Sequence, residues 1–295
     1  VASTRGLKVR CPAKINLGLW ILGRRPDGYH EIDTVMQTVS LEDDLLLLPS
    51  SEFEFMAKGI PVGGEGPNIV ERAWDLLAAR APLHAGVRVE LTKRIPVAAG
   101  LGGGSSDAAG FVVGVNRLLS LELTGEEILD ITAQLGSDVP FFLHGGTARA
   151  TGRGVEVRHL CPAPPAWVVL ATPPVTIATT WAYSRVKIPL THRERGATIL
   201  AAAIASQDWR FISPHFHNDF EDVVLPEFEV VAGLRRALDA SGVLGSLLSG
   251  SGSTVFGLAR TRDEAQAAAR IAAERGATVH VVRTTERGVA LAGLS

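Results

Sequence analysis

Cysteine is scarce in this chain. Cys11 and Cys161 are the only two, which excludes a disulfide framework and a cysteine-built zinc site and makes a reducing cytoplasm the expected setting. An excess of one charge is missing as well: 29 Lys and Arg stand against 31 Asp and Glu, a formal net charge of -2. Nothing in that balance advertises nucleic acid or an anionic membrane as a partner. No run approaches the ~18 consecutive apolar residues that a bilayer span requires. The start, VASTRGLKVR, is basic without a long apolar stretch behind it, so no secretory signal is expected. Self-similarity at a period of ~20–50 residues, the mark of a repeat architecture, is also absent.

What remains is 295 residues, 46% apolar and 20% charged, the balance of a globular enzyme-sized chain with length for one large domain or two ordinary ones. LKVRC and INLGLWILG alternate at period two, as half-buried strands do, and DDLLLLP and EFEFMA follow them. Asn68 and Glu71 form a capping box that opens a helix with Ile69, Ala73, Trp74 and Leu77 on its apolar face. GVRVELTKRI reads as a strand with Val87, Val89 and Leu91 on one face, stopped by Pro96. Ser105 or Ser106 is the predicted cap of a helix through about Leu119, with Asp107 in its first turn. A second capping box, Thr124 with Glu127, opens a helix that Gly136 ends. PAPPAWVVLATPP marks a crossing between domains, expected as 1–163 and 164–295. Beyond it come helices near 195–206 and 227–240, the strand–loop–strand SLLSGSGSTVFGLA, a helix from Asp263 to Arg275 and the strand ATVHVVRTT. That order gives a small sheet with helices on one side, an α+β arrangement.

Between the strand GVRVELTKRI and the apolar-periodic FVVGVNRLLS lies PVAAGLGGGSSDAAG, residues 96–110. A strand, a glycine-rich turn and a helix N-terminus form an anion site, because converging N–H groups and the helix dipole favour phosphate and glycines let it approach. G-x-x-x-x-G-K-[ST] fails here for want of a lysine, and G-x-G-x-x-G fails because position 105 is serine. No H-R-D or D-F-G signature occurs either. The loop therefore reads as a phosphate cradle of another kind, the rival reading being a connection without a ligand.

P-x-x-x-G-L-G-G-G-S-S-D-A-A resembles the ATP loop of the GHMP kinases (galactose, homoserine, mevalonate and phosphomevalonate kinases). CPAKINLGL (11–19) is similar to that family's N-terminal motif, and LLSGSGSTVFG (247–257) to its C-terminal glycine motif. PDGYHEIDTVMQTV (26–39) and GSDVPFFLHGG (136–146) resemble the branch of the family that phosphorylates the 2-hydroxyl of a cytidine-diphosphate-linked methylerythritol, in non-mevalonate isoprenoid synthesis. The resemblance implies ATP and Mg2+ as cofactors. It also implies an N-terminal domain like ribosomal protein S5 and a ferredoxin-like C-terminal domain. A cytoplasmic monomer or homodimer is expected, with small-molecule substrates and neither nucleic acid nor membrane as partner.

The ATP loop carried over by the resemblance is Pro96, Val97, Ala98, Ala99, Gly100, Leu101, Gly102, Gly103, Gly104, Ser105 and Ser106. The catalytic pair is Lys14 and Asp138: Asp138 accepts the hydroxyl proton, and Lys14 orients the carboxylate and stabilises the developing alkoxide. Read bottom-up, S-D-V-P after a helix-ending glycine also suits Asp138 as an N-cap, and a strand lysine is usually a solvated face. Asn16 shares a strand face with Lys14 and matches a substrate contact. D-G-Y-H is ordinary turn chemistry, yet Tyr29 and His30 match the cytidine site, one stacking on the base and the other bonding its edge. Tyr183 aligns with an aromatic that sandwiches the cytosine and Thr179 with a polar contact, although an aromatic in an apolar helix is more often core. Gly250, Ser251 and Gly252 close the phosphate region, or serve as a hairpin turn. His144, His159 and His217 show no metal-ligand spacing and read as structural; the magnesium ligands are left open. Ala98 and Ala99 stand where the family has at least one glycine, and alanine at positive φ would weaken ATP binding. Another GHMP-type kinase, acting on homoserine or mevalonate, and a catalytically silent ligand-binding relative are the alternatives.

Overall fold

The computed structural model describes residues 6–62, 66–187 and 196–293. The first half runs β1 (Leu7–Arg24), β2 (His30–Ser50), β3 (Glu54–Gly59), α1 (Ile69–Arg80), β4 (Gly86–Lys93), α2 (Gly103–Leu119), α3 (Gly125–Leu135), β5 (Thr147–Thr151) and β6 (Glu156–His159). The second half runs β7 (Trp167–Thr172), α4 (Thr179–Arg185), α5 (Gly196–Ile204), α6 (Trp209–Ile212), β8 (His217–Asn218), α7 (Glu221–Glu227) and α8 (Glu229–Ala240). It closes with β9 (Gly245–Leu248), β10 (Val255–Ala259), α9 (Arg262–Ala273), β11 (Thr278–Arg283) and β12 (Ala290–Gly293).

Two sheets result, and the class is α+β as the element order implied. The first has the order β12-β1-β2-β4-β3, with β5 and β6 continuing from β2 and β8 parallel to β1. The second is antiparallel, β11-β7-β10-β9. On one face of the first sheet α1, α2 and α3 bury Leu77, Phe111 and Ile131 against a core that includes Leu45, Leu47 and Val89. Between the sheets Ile15, Leu17 and Val35 meet Val168, Leu170 and Phe256. Behind the second sheet α8 and α9 place Leu234 and Ala268 against Val169 and Val255. Val168 and Val169 thus serve different cores, because successive strand residues point to opposite faces. The expected boundary at 163/164 falls between β6 and β7, while β8 and β12 return to pair with β1.

β1 is where sequence pattern sets up chemistry. LKVRC and INLGLWILG form one strand rather than two, interrupted at Pro12/Ala13, where Pro12 faces Glu42 but Ala13 faces Val39. Proline has no N–H for the ladder at that point. Before the break Val9 and Cys11 enter the helix-side core; after it Ala13, Ile15 and Leu17 enter the core between the sheets. The break thus exchanges faces, and Lys14 and Asn16 line a cleft on the other side.

Several expectations need correction. α2 begins at Gly103 with Gly102 as N-cap in the left-handed region (φ 68) and no side-chain cap; Ser105 and Ser106 lie inside the helix, and Asp107 is beyond its first turn. The helix expected over 227–240 is α8, preceded by the separate α7 that carries Pro226. The helix expected from 195 begins, within the described residues, at Gly196, and residue 195 lies outside them. α1 buries Val70, Ala73 and Leu77, with Ile69 and Trp74 only half-buried.

Candidate active site

Both capping boxes form. Asn68 accepts from the Val70 N–H while Glu71 accepts from the Asn68 N–H, and Thr124 and Glu127 reciprocate in the same way. α2 differs. The N–H groups of a first helical turn have no intrahelical partner, and here no side chain caps them, while Gly102, Gly103, Gly104 and Ser105 line a cleft of about 820 Å3. A phosphate group suits those open donors.

The loop before α2 is held by its carbonyls. The Lys14 N–H donates to Leu101 O at 2.9 Å, the Ser249 hydroxyl to Gly100 O at 2.9 Å, and the Thr254 N–H to Ala99 O at 3.2 Å. Gly100 is obligatory twice over: its φ is +78°, and a Cβ there would lie 1.9 Å from Ser249 O. Gly250 (φ +54°) packs back on Gly100, so the two glycine motifs close on each other. Of the predicted loop residues, Pro96, Val97, Ala98, Ala99, Gly100 and Gly102 through Ser105 line the cleft. Leu101 instead packs between the sheets, and the buried Ser106 hydroxyl has no hydrogen-bond partner among the described residues. The concern over two alanines narrows to one, since only Ala98 has positive φ (52°).

Lys14 is buried in spite of its charge, its side chain 4% exposed. Its ammonium lies 3.4 Å from Asp138 Oδ2 and donates to Asn16 Oδ1 at 2.6 Å. The Asn16 amide donates to Thr34 Oγ1 at 2.8 Å, which donates to Gly18 O at 2.7 Å. An ammonium has three donors; Asn16 and Asp138 take two directions of the Lys14 ammonium, and the residue lines the cleft. The side chain of Asp138 is 33% exposed. It caps nothing: the 3-10 turn Pro140–Leu143 has Val139 at its N-cap position and no side-chain cap. A carboxylate one-third open to the cleft, held beside a buried ammonium, can accept a proton from a hydroxyl placed between them.

Tyr183 lines the cleft from α4, stacked on His30 (4.7 Å between centroids) and edge-on to Phe220 (4.9 Å). Burial pushes the Tyr183 phenol up, with the Asp138 charge adding to it. Burial pulls His30 down, with Arg24 assisting. Tyr29 is not brought to the cleft wall; it sits at the turn tip, 54% exposed, under the Arg153 guanidinium. Thr179 Oγ1 and Ser251 Oγ are hydrogen-bonded at 3.1 Å, and Gly250 and Ser251 line the cleft, whereas Gly252 lies behind them against Leu248. His144 packs on His159, and His217 on Trp20. No group of three His, Cys, Asp or Glu side chains able to hold a metal occurs among the described residues.

Sequence reasoning missed a second lysine. Lys93, 3% exposed, donates to Asp43 Oδ2 and Asp107 Oδ2, both at 2.6 Å. Lys93 and Asp107 both line the cleft. Burial pushes the Asp107 carboxyl up to about 8; Lys93 opposes the rise and Asp43 reinforces it. The Lys93 ammonium is held above its ordinary value: burial works against the charge, but the two carboxylates outweigh it. The apolar wall of Phe55, Val62 and Ile69 was also not foreseen as part of the cleft.

The profile for the GHMP kinases N terminal domain matches residues 68–146, and that for the GHMP kinases C terminal matches 200–278. Three bacterial proteins named 4-diphosphocytidyl-2-C-methyl-D-erythritol kinase align over nearly the whole chain. That of Pelobacter propionicus is 41% identical, covering 90% of this chain and 93% of its own. That of Geobacter sulfurreducens is 40% identical, covering 94% and 99%. That of Gloeobacter violaceus is 39% identical, covering 96% of each. The crystal structure of a 4-(cytidine 5'-diphospho)-2C-methyl-D-erythritol kinase superposes with a TM-score of 0.78 at 34% identity, covering 94% of this chain and 98% of that one. The homoserine kinase of Cytophaga hutchinsonii superposes with a TM-score of 0.75 at 18% identity over 99% of both chains, a likeness of fold alone.

Proposed function

The chain belongs to the GHMP kinases, and within them to the 4-diphosphocytidyl-2-C-methyl-D-erythritol kinases, and on that premise we propose that it moves the γ-phosphoryl of ATP to the 2-hydroxyl of 4-diphosphocytidyl-2-C-methyl-D-erythritol. The observation that carries the catalytic assignment is the Lys14–Asp138 pair, 3.4 Å apart beside the uncapped start of α2. Asp138 takes the hydroxyl proton as the oxygen–phosphorus bond forms and the bond to the departing ADP breaks. Lys14, braced by Asn16, fixes the carboxylate and lends positive charge to the attacking oxygen. Phosphates lie on the N–H groups of Gly102 to Ser105, with Gly250 and Ser251 closing over them. The base is read beside Tyr183, with His30 stacked on that ring.

Mg2+ is the expected companion of ATP. Such an ion is commonly bound by one or two carboxylates, waters and substrate phosphates, and the Ser105 hydroxyl is a cleft oxygen of the right kind. When bound it neutralises phosphate charge. ATP consumption measured with each candidate alcohol tests the assignment. Turnover with the cytidine diphosphate substrate is expected; turnover with homoserine or mevalonate instead would overturn it.

A further inference from the structure

The Lys93 cluster lies outside the catalytic chemistry just described, and its connections are specific. Asp43 Oδ1 accepts the N–H groups of Arg94 and Ile95, at 2.5 and 2.9 Å, while Oδ2 accepts from Lys93. Asp43 therefore grips the chain immediately before the glycine loop. Lys93 carries that grip to Asp107, which lies on α2 immediately after the loop. The bridge is buried: side-chain exposures are 3% for Lys93, 0% for Asp43 and 3% for Asp107. A Cβ on Gly103 would come within 2.9 Å of the Lys93 ammonium, so the first helical residue of the cradle packs directly on the bridge.

We propose that Lys93, Asp43 and Asp107 are positioning residues for nucleotide binding: they fix the distance between the two ends of the loop and so the aim of its N–H groups. Lys93 is then no phosphate ligand, although it lines the cleft; its ammonium is committed to the Asp43 and Asp107 carboxyl groups. A charge-assisted bond is about twice as strong as a neutral one, and an anion would have to compete with both.

The inference rests on the reading of the loop as an ATP site, so the test measures nucleotide binding directly as well as turnover. Dissociation constants for ATP and steady-state constants for both substrates are compared in the wild type, Asp107→Ala and Asp107→Asn, well below each melting temperature. Asp107→Ala is expected to weaken ATP by about 10-fold, equivalent to about 1.4 kcal/mol, with kcat at saturating ATP and the KM of the alcohol little changed. Asp107→Asn keeps an oxygen for Lys93 and is expected to recover most of the affinity. Unchanged binding in Asp107→Ala overturns the proposal. So does tighter binding, which would make Lys93 a phosphate ligand that Asp107 restrains. A wild type that binds no ATP would instead overturn the functional reading.

Discussion

Two lysines of this protein are equally buried and differently employed. Lys14 and Lys93 have side chains 4% and 3% exposed, both beside aspartate, both lining the same cleft. Lys93 has two carboxylates at 2.6 Å, each almost wholly buried. Lys14 has one at 3.4 Å, one-third exposed, and a neutral amide. With its ammonium bonded to two buried carboxyl groups, Lys93 can only hold structure together. Lys14 lines the cleft beside a loosely held carboxylate, which is what a reacting hydroxyl needs. Burial of a charge alone does not distinguish the two roles; the completeness of its coordination does.

Asp138→Asn breaks the comparison most severely. Removing the proton acceptor is expected to lower kcat by about 10²–10⁴-fold, with ATP binding and the melting temperature retained; near-normal kcat would remove Asp138 from the chemistry. Lys93→Met attacks the other side. Leaving buried carboxylates without their cation is expected to cost about 3–5 kcal/mol of stability, read as a lower urea midpoint, whereas a surface-like loss of a few tenths would deny the bridge its role. A third prediction uses pH. The Asp107 carboxyl is raised from 3.8 to about 8, so between those values the native state keeps a proton that the unfolded chain has released. Stability is therefore expected to decline as pH rises through that window and to level off above it. Asp107→Asn should flatten the decline, and parallel pH profiles for the two proteins would refute the assignment. The smallest effect concerns the loop itself. Ala98→Gly relieves a left-handed alanine at φ 52, worth about 1 kcal/mol before the entropy cost of glycine is subtracted, and a tightening of ATP binding of at most a few-fold is expected.

The sequence disclosed features in proportion to how local their causes are. The capping boxes at Asn68 and Thr124 form as read, because each needs only residues three apart. Val87, Val89 and Leu91 are buried on one face of β4 because alternation is a property of the strand itself. The start of α2 was misread by the same logic. Serines normally cap, but this helix leaves its first N–H groups open toward a cleft, and local preference gives way at the site. The Lys14–Asp138 pairing was legible only through the family resemblance, since 124 residues of chain separate two unremarkable side chains. The Lys93 bridge escaped altogether. Its members come from β2, β4 and α2, and only the strand register that sets Asp44 opposite Thr92 brings Asp43 to Lys93. β8 and β12, which pair with β1 from the far end of the chain, escaped for the same reason.

The most direct test compares Lys14→Met and wild type for three quantities in one series: kcat with the cytidine diphosphate substrate, the dissociation constant for ATP and the melting temperature. The account predicts that turnover falls by orders of magnitude while ATP binding and melting stay close to wild type. Retained turnover, or a loss that merely follows unfolding, would contradict the claim that Lys14 reacts where Lys93 only holds.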